Sequence, residues 1–176
     1  MTLSESINVI TEFARHHQIL AIFIVFLLAF GESLAFISLL LPATVILLGL
    51  GALIDDNGLA FLPIWLAATC GAFFGDWFSF WFGFHYKNRV RHMWPISRRP
   101  EVLDRGHRFF DRWGIWSVFI GRFFGPLRAV IPLVAGICAM PKHHFQLANL
   151  FSAVVWAFGI LAPGAFGLRW FAQWMG

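Results

Sequence analysis

Four long apolar runs separated by polar connections dominate the pattern of hydrophobic and polar positions along the chain. The runs are residues 18–54, 60–84, 113–140 and 145–168. A transmembrane helix needs about 20 consecutive apolar residues, so residues 60–84 and 145–168 are each predicted to cross a membrane once. Residues 18–54 would form a rod of about 55 Å, which is too long for one crossing and slightly short for two. We therefore expect this run to break and turn inside the membrane.

The third run, residues 113–140, is also predicted to break, because helix-disrupting residues interrupt it. Gly125-Pro126 and Pro132 lie inside this run, as Pro42 lies inside the first one. Proline removes a backbone donor and clashes with the preceding turn of a helix. Non-helical backbone at membrane depth is tolerated only where it contacts protein or lines a water-filled cavity, so we expect a cavity beside the breaks.

The two broken runs share a layout that indicates an internal repeat. In each, a glycine and a charged residue precede a proline, and the spans that follow carry two glycines at a constant offset of 84 residues. The matching positions are Gly31-Glu32 with Pro42, Gly121-Arg122 with Pro132, and Gly75 and Gly83 with Gly159 and Gly167. One span and a polar loop separate the broken runs, which would therefore enter the membrane from opposite faces. The predicted fold is an all-α integral membrane protein with spanning helices and two opposed broken or re-entrant helical hairpins, arranged like an inverted repeat.

Composition supports a membrane location and excludes several other classes of protein. Hydrophobic residues make up 59% and charged residues 12% of the 176 positions, whereas a soluble domain has about 25% charged residues. A disordered chain, a collagen-like chain and a soluble nucleic-acid-binding protein are excluded, so nucleic acid is not an expected partner. We predict a single membrane domain that covers residues 1–176.

Residues 85–112 form the only long polar segment and carry eight of the thirteen lysines and arginines. The positive-inside rule therefore places this loop in the cytoplasm. Within the loop, apolar residues recur at helical spacing opposite Arg105, Arg108 and Arg112, which predicts a helix lying in the headgroup layer. Attraction to anionic lipids explains these arginines, with phosphate binding as the alternative.

Four ionisable residues lie inside the apolar runs, where each costs roughly 2.5–3.5 kcal/mol near the bilayer centre. They are Glu32, Asp76, Arg122 and Arg128. Two acids and two bases can offset this cost by pairing, and purely structural salt bridges are the alternative to a substrate site. Because buried ion pairs stabilise less than apolar replacements, we favour a functional role for Glu32, Arg122 and Arg128. Asp76 is included in the candidate site but interpreted slightly more as a structural residue near a helix end.

A break between the two arginines would let them bind one anion. On an unbroken helix, Arg122 and Arg128 would diverge by about 240°, whereas a break at Gly125-Pro126 allows both guanidinium groups to reach one cavity. Two arginines make a good phosphate receptor, because each binds bidentately and stays charged at any pH. Exchange of a proton at Glu32 would alter how strongly the arginines are neutralised, which is a plausible way to couple transport to protons.

The motifs around these residues resemble the DedA family of bacterial inner-membrane proteins, part of the wider VTT group. The matching stretches are Gly31-Glu32-Ser33, Leu41-Pro42-Ala43-Thr44, Gly75-Asp76-Trp77 with Gly83, and Gly121-Arg122-Phe123-Phe124-Gly125-Pro126-Leu127-Arg128 followed by Pro132 and Ala135-Gly136. The resemblance covers nearly the whole chain and implies a multi-pass protein of the bacterial inner membrane with two opposed re-entrant segments. It also implies lipid movement across that membrane, notably of undecaprenyl phosphate and in some members of phosphatidylethanolamine, with links to envelope homeostasis and the proton-motive force.

The resemblance also assigns roles to individual residues. Glu32, Arg122 and Arg128 correspond to family residues that are required for activity. Several members carry a second acid twelve residues after the first, within a Pro-Gly-acid motif, where this chain has Pro42-Ala43-Thr44. The departure weakens a mechanism based on two carboxylates, because Thr44 can supply only a hydroxyl group. The predicted supporting residues are Thr44, Pro42, Gly125 and Pro126.

The predicted function is that of a lipid transporter, a flippase or scramblase that moves a phosphate-bearing lipid such as undecaprenyl phosphate or a phospholipid. Its expected partners are this lipid and the bilayer, with protons as a candidate partner; no enzyme activity, cofactor or metal ion is expected, and the oligomeric state stays open. A proton- or ion-coupled small-solute transporter is one alternative, and a structural or assembly factor is another. A membrane lipid phosphatase is less favoured, because His143 and His144 adjoin Pro141 at a membrane boundary and no nucleophile accompanies them.

Overall fold

Seven helices make up most of the part of the chain that the structure describes. This computed structural model describes residues 18–34, 43–52, 54, 60–92 and 101–175. The helices are α1 (Gln18–Ser33), α2 (Ala43–Ala52), α3 (Phe61–His92), α4 (Glu101–Trp113), α5 (Ile115–Gly121), α6 (Gly125–Ile137) and α7 (Lys142–Met175). No β-strand occurs within these residues, and the predicted all-α fold class is confirmed.

Two of the described helices are long and apolar enough to cross a membrane. These candidate spans are Phe61–Lys87 of α3 and Lys142–Phe166 of α7, and at 1.5 Å per residue both exceed the ~30 Å hydrocarbon core. Both helices extend beyond the apolar runs that predicted them, to His92 and Met175. The apolar runs end where polar residues begin, but a helix satisfies its own backbone and can continue through the headgroup layer.

Large apolar side chains cover the outer surface of the helices. Ile19 is 84% exposed, and Phe151 and Trp116 are 62% and 63% exposed. A soluble protein rarely leaves a large apolar surface in contact with water. Contact with lipid tails explains this surface, as expected for a protein that spans a membrane.

The third apolar run is divided into two helices, α5 and α6, which are both too short to cross a membrane. In the connecting turn, residues 122–124, the Phe123 amide donates to the Ile120 carbonyl at 3.0 Å. Pro126 lies in the first turn of α6, where a missing backbone donor costs little. The break therefore falls just before the predicted position, and Gly125-Pro126 opens the second helix instead of separating the two.

The packing of the helices supports the predicted repeat. α1 contacts α3 as α5 contacts α7, and α2 contacts α7 as α6 contacts α3. α3 and α7 also contact each other. The contacts made by α1, α2 and α3 therefore correspond to those made by α5, α6 and α7. The short helices α1 and α2 together contact both long helices, and so do α5 and α6.

Glycines allow some of these helices to approach at backbone distance. A β-carbon on Gly136 of α6 would lie 2.1 Å from the carbonyl oxygen of Phe80 on α3. A β-carbon on Gly75 would lie 2.6 Å from the carbonyl oxygen of Phe30 on α1, whereas no atom of the described residues would lie within 4 Å of one on Gly159. Small residues at such crossings are typical of membrane helices. The predicted match between Gly75 and Gly159 therefore does not extend to their packing.

The basic loop contains the amphipathic helix α4. Phe110 is buried, whereas Arg108 and Arg112 on the other side of the helix are exposed. Residues 93–100, and the side chains of residues 101–105, lie outside the described part of the chain. α4 contacts α5 and α6, so the loop is attached directly to the second broken segment.

Candidate functional site

The four charged residues of the apolar runs form two buried ion pairs. Arg122 pairs with Asp76, and Arg128 pairs with Glu32 at 2.8 Å between Nη1 and Oε1. Each of the four residues is at most 5% exposed. The two acids and two bases were expected to pair, and in the structure each arginine has its own acid.

Arg122 connects the turn between α5 and α6 to both long helices. Its Nη2 donates to Asp76 on α3 and to Oδ1 of Asn149 on α7, the latter at 2.8 Å. Its Nη1 donates to the Asn149 carbonyl at 3.2 Å. The Asn149 amide in turn donates to the Phe73 carbonyl at 2.9 Å, so the side chain that orients Arg122 is itself fixed to α3.

The position of Asp76 differs from the expected one. The sequence placed it close to a helix end, but it lies near the middle of α3 and is 2% exposed. The helix continues well past the apolar run, which moves its end away from Asp76. The carboxylate is therefore buried in the protein and paired with Arg122.

Arg128 connects the two broken segments. It lies in the first turns of α6, and its Nη1 donates to Glu32 near the end of α1. Its Nη2 donates to the hydroxyl of Ser33 at 3.2 Å. The guanidinium carbon lies 4.0 Å from the ring centroid of Trp156 on α7, a cation–π contact.

Glu32 also joins the two helices of the first broken segment. Its Oε1 accepts a hydrogen bond from the hydroxyl of Thr44, in the first turn of α2, in addition to the one from Arg128. Thr44 occupies the position that corresponds to the second acid of several DedA proteins. In this chain the residue provides a donor to the first acid.

Each ion pair leaves some of its polar atoms without a partner. Oε2 of Glu32, Oδ1 of Asp76 and the Nε atoms of both arginines have no hydrogen-bond partner among the described residues. Buried polar atoms without partners cost free energy, and such exceptions often mark functional sites. The two Nε–H groups are donors that an additional anion could use.

The remaining predicted residues contribute in different ways. Gly125 and Pro126 form the start of α6 and thereby place Arg128 within its first turns, although their side chains lie outside the description. Pro42 lies outside the described residues. Within the described residues, no group of three His, Cys, Asp or Glu side chains could hold a metal ion.

Asn149 and Trp156 of α7 contribute to the site but were not predicted. Together with Ser152, they lie on one side of α7, at a spacing of three and four residues. An asparagine inside an otherwise apolar membrane helix is a recognisable signal, because its amide needs hydrogen-bond partners. Trp156 gave no such signal, since this chain has nine tryptophans.

The membrane-spanning helices and the buried ion pairs together define a multi-pass membrane protein with a polar site between broken helices. Residues 41–166 match the VTT domain. The chain therefore belongs to the VTT domain family, and the resemblance to DedA proteins is confirmed.

Named relatives of the chain are also membrane proteins. Inner membrane protein YabI of Escherichia coli is 35% identical over 86% of this chain and 60% of its own length. Uncharacterized membrane protein BU139 of Buchnera aphidicola is 31% identical over 88% of this chain and 60% of its own length. Undecaprenyl phosphate transporter A of Staphylococcus aureus is 29% identical over 89% of this chain and 77% of its own length. This chain thus spans about 60% of the length of the first two relatives. No solved structure matches it.

The predicted inner-membrane localisation is confirmed. The E. coli relative is named as an inner membrane protein, and α3 and α7 are long and apolar enough to span a membrane. The assignment of residues 85–112 to the cytoplasm stays a prediction from the positive-inside rule.

Proposed function

We propose that this protein is a lipid transporter that moves a phosphate-bearing lipid across the inner membrane, as a flippase or scramblase. The observation that carries the proposal is the buried Arg128–Glu32 pair, which joins two broken helices. Because a buried ion pair stabilises a fold less than apolar packing of similar volume, its presence favours a functional role. The VTT domain and the name of the S. aureus relative support transport of a lipid phosphate such as undecaprenyl phosphate.

The pair offers a phosphate group a site for anion exchange. A lipid phosphate can replace the Glu32 carboxylate on the Arg128 guanidinium, so that the buried positive charge stays neutralised. The ring face of Trp156 contacts the guanidinium and can keep it in place during the exchange. Glu32 leaves either as a carboxylate that reaches water or after taking up a proton, and the second route would couple transport to protons.

Arg122 has a positioning role in this scheme and can add a second contact. Its bonds to Asp76 and Asn149 hold the turn that precedes α6, and this turn determines where Arg128 lies. The Nε–H of Arg122 has no partner among the described residues and is available to a phosphate oxygen.

A polar site of this kind lowers the main barrier to lipid movement. The charged headgroup is the part that a bilayer resists, because an isolated ion loses its hydration in hydrocarbon. The acyl or prenyl chain needs no site of its own, because it can remain in lipid. Transport requires the site to open, since the four charged residues are at most 5% exposed in this conformation. Such a movement can occur as a shift of the short helices relative to one another.

A proton- or ion-coupled small-solute transporter is the second candidate. It is favoured by Glu32, an acidic residue that is buried between the two broken segments, because acidic residues inside membrane proteins often form proton relays. Proton-driven currents in vesicles that contain no lipid phosphate would support this candidate. Hydrolysis of a lipid phosphate has less support, because His143 and His144 are exposed while the arginines are buried.

The proposal is tested with purified protein in vesicles that contain a fluorescent polyprenyl phosphate, in an assay that distinguishes the two leaflets. Arg128→Ala is expected to slow transport by about 10-fold or more, because a hydrogen bond to a charged group contributes ~1.5–3 kcal/mol. Arg128→Lys should restore only part of the rate, since an ammonium group cannot form a bidentate fork. Lys142→Gln is the matched control, because it removes an exposed positive charge at the start of α7.

The variants are compared at equal amounts of folded protein in the vesicles. Transport by Arg128→Ala at the wild-type rate would reject the proposal. Release of inorganic phosphate from the probe by the wild-type protein would indicate a phosphatase.

A further inference from the structure

Helix α4 presents two exposed arginines. Arg108 and Arg112 are four residues apart, so their side chains lie one turn apart on the same face of the helix. Both are exposed, and together with Phe109, Asp111 and Trp113 they line an open pocket of about 670 Å³. Two guanidinium groups at this spacing can bind the oxygens of one phosphate group.

An apolar cleft adjoins this pocket. The cleft has a volume of about 240 Å³ and shares Phe109 and Trp113 with the pocket. Its other lining residues are Trp116, Ser117, Ile120, Gly121, Phe124 and Ile131. The hydroxyl of Ser117 donates to the Gly114 carbonyl at 2.6 Å, so the one polar side chain of this lining is already bonded to backbone.

The cleft leads to the turn that carries Arg122. Two of its lining residues belong to this region, since Gly121 directly precedes the turn and Phe124 is the last residue of the turn. Gly121 leaves room for Ile131 at this end of the cleft, because a β-carbon there would lie 2.0 Å from the side chain of Ile131. The path therefore begins with exposed arginines, continues along apolar side chains and ends at Gly121 and Phe124, which lie close to Arg122 in the chain.

The inner side of α4 is fixed to the second broken segment. Phe110 is 7% exposed and belongs to a buried cluster that includes Ile131 and Ala135 of α6. A β-carbon on Gly106 would lie 3.1 Å from the sulfur atom of Cys138. The pocket and the cleft thus belong to one packed unit with α6, the helix that carries Arg128.

We propose that this pocket and cleft form the entry site for the lipid phosphate. Arg108 and Arg112 bind the headgroup, and the first part of the hydrocarbon or prenyl chain occupies the cleft. The inference rests on the proposed function and states where its substrate enters. Once the headgroup moves from α4 along the cleft, it reaches the turn at Arg122 and then the Arg128–Glu32 pair.

A lipid fits this site better than a free anion or a protein segment. A free phosphate ion would use the arginines but leave the apolar cleft empty. Trp113 and Trp116 are 50% and 63% exposed beside the cleft, and exposed tryptophans of this kind are typical of the boundary between headgroups and lipid tails. The juxtaposition of positive charge and apolar volume matches an anionic head on an apolar chain.

The first test measures transport as a function of the concentration of fluorescent polyprenyl phosphate in phosphatidylcholine vesicles. The Arg108→Gln/Arg112→Gln double variant is expected to raise the half-saturating concentration roughly 5- to 10-fold, as two partly exposed charged contacts are lost. The maximal rate should stay near that of the wild type, because the buried arginines are intact. An unchanged half-saturating concentration would overturn the inference.

The matched control removes two other exposed charges near the same surface. Arg89→Gln/Lys142→Gln has the same change in net charge, and neither residue lines the pocket or the cleft. Lys142 lies 5.0 Å from the ring of Phe84, close to the end of α3 that carries Arg89. The control is expected to change the half-saturating concentration by less than about 2-fold. An effect as large as that of the α4 variant would show that only the overall surface charge matters, and it would overturn the inference.

The second test detects the lipid chain in the cleft by photo-crosslinking. A benzoylphenylalanine at Ile120, which lines the cleft, is expected to capture an alkyne-tagged polyprenyl phosphate more strongly than the corresponding polyprenol. The same group at Ile115, which is similarly exposed but does not line the cleft, should show no such preference for the phosphate. The preference at Ile120 should disappear in the Arg108→Gln/Arg112→Gln variant.

Competition distinguishes the source of the phosphate. Unlabelled polyprenyl phosphate should reduce capture at Ile120, whereas the same concentration of inorganic phosphate should not. Equal competition by inorganic phosphate, or equal preference at Ile120 and Ile115, would overturn the inference.

If the wild-type protein moves no lipid, the proposed function fails, while capture that depends on Arg108 and Arg112 still demonstrates binding at α4. If transport is normal but capture shows no dependence on these arginines, the entry site alone is wrong.

Discussion

Arg122 and Arg128 are six residues apart in the chain, yet their partners lie on different kinds of helix. Arg122 contacts Asp76 on α3 and Asn149 on α7, which are the two described helices long enough to span a membrane. Arg128 contacts Glu32 on α1, the first helix of the other broken segment. The first ion pair therefore attaches a turn to the long helices, whereas the second joins the two broken segments to each other.

Because of this difference, we expect the Arg122–Asp76 pair to stay fixed and the Arg128–Glu32 pair to open. Arg122 has three hydrogen bonds from its two terminal nitrogens, and its main partner Asn149 is itself bonded to α3. The acid at Arg128 lies on a separate short helix, so relative movement of the broken segments would part the pair. We expect loss of Arg122 to affect mainly stability and loss of Arg128 to affect mainly transport.

The largest expected effect on stability is that of Arg122→Ala. It should lower the free energy of unfolding by about 3–5 kcal/mol, because the buried Asp76 loses the cation with which it is paired. Arg128→Ala should cost less, since Thr44 continues to donate to Glu32. Denaturant unfolding in detergent, followed by tryptophan fluorescence, measures both losses.

The Arg122→Ala/Asp76→Ala double variant is the control for this prediction. It removes the uncompensated carboxylate and should recover most of the lost stability. Equal losses for the two single arginine variants would contradict the distinction between a fixed and a movable pair.

A smaller effect is expected at the hydroxyl that supports Glu32. Thr44→Val should lower the free energy of unfolding by about 1 kcal/mol, since one hydrogen bond to the carboxylate is lost while that from Arg128 remains. Thr69→Val is the matched control, because Thr69 is buried and its hydroxyl has no hydrogen-bond partner among the described residues. The control should be neutral or stabilising, and a loss at Thr69 as large as that at Thr44 would show that the bond to Glu32 contributes nothing.

The sequence predicted the features that have a large energetic cost. Charges in apolar runs and glycine–proline pairs stand out because each is unfavourable in a continuous membrane helix. Glu32, Asp76, Arg122 and Arg128 were therefore found, and the break in residues 113–140 was placed within a few residues of its position. The ends of α3 and α7 were predicted less well, because a change in hydropathy marks the edge of the hydrocarbon core and not the end of a helix.

The pairing of the charges could not be predicted in the same way. Which acid meets which arginine depends on the rotation and relative height of α1, α3 and α6, and no single sequence specifies these. The sequence predicted that the four charges could pair, but not that Arg122 meets Asp76 on α3 while Arg128 meets Glu32 on α1. Trp156 was missed for a related reason, since an aromatic residue is unremarkable in an apolar helix until its neighbours are known.

Binding of the lipid phosphate to Glu32→Gln is the decisive measurement, because the carboxylate and the phosphate are proposed to compete for Arg128. Replacing the carboxylate by a neutral amide should weaken the bond from Arg128 to this side chain by about 1 kcal/mol, since hydrogen bonds to charged groups are stronger than neutral ones by roughly that amount. Fluorescent polyprenyl phosphate in detergent micelles should therefore bind Glu32→Gln roughly 5- to 10-fold more tightly than the wild type, and Arg128→Ala more weakly than either. Equal or weaker binding by Glu32→Gln, in protein that is shown to be folded, would contradict the exchange of anions at Arg128.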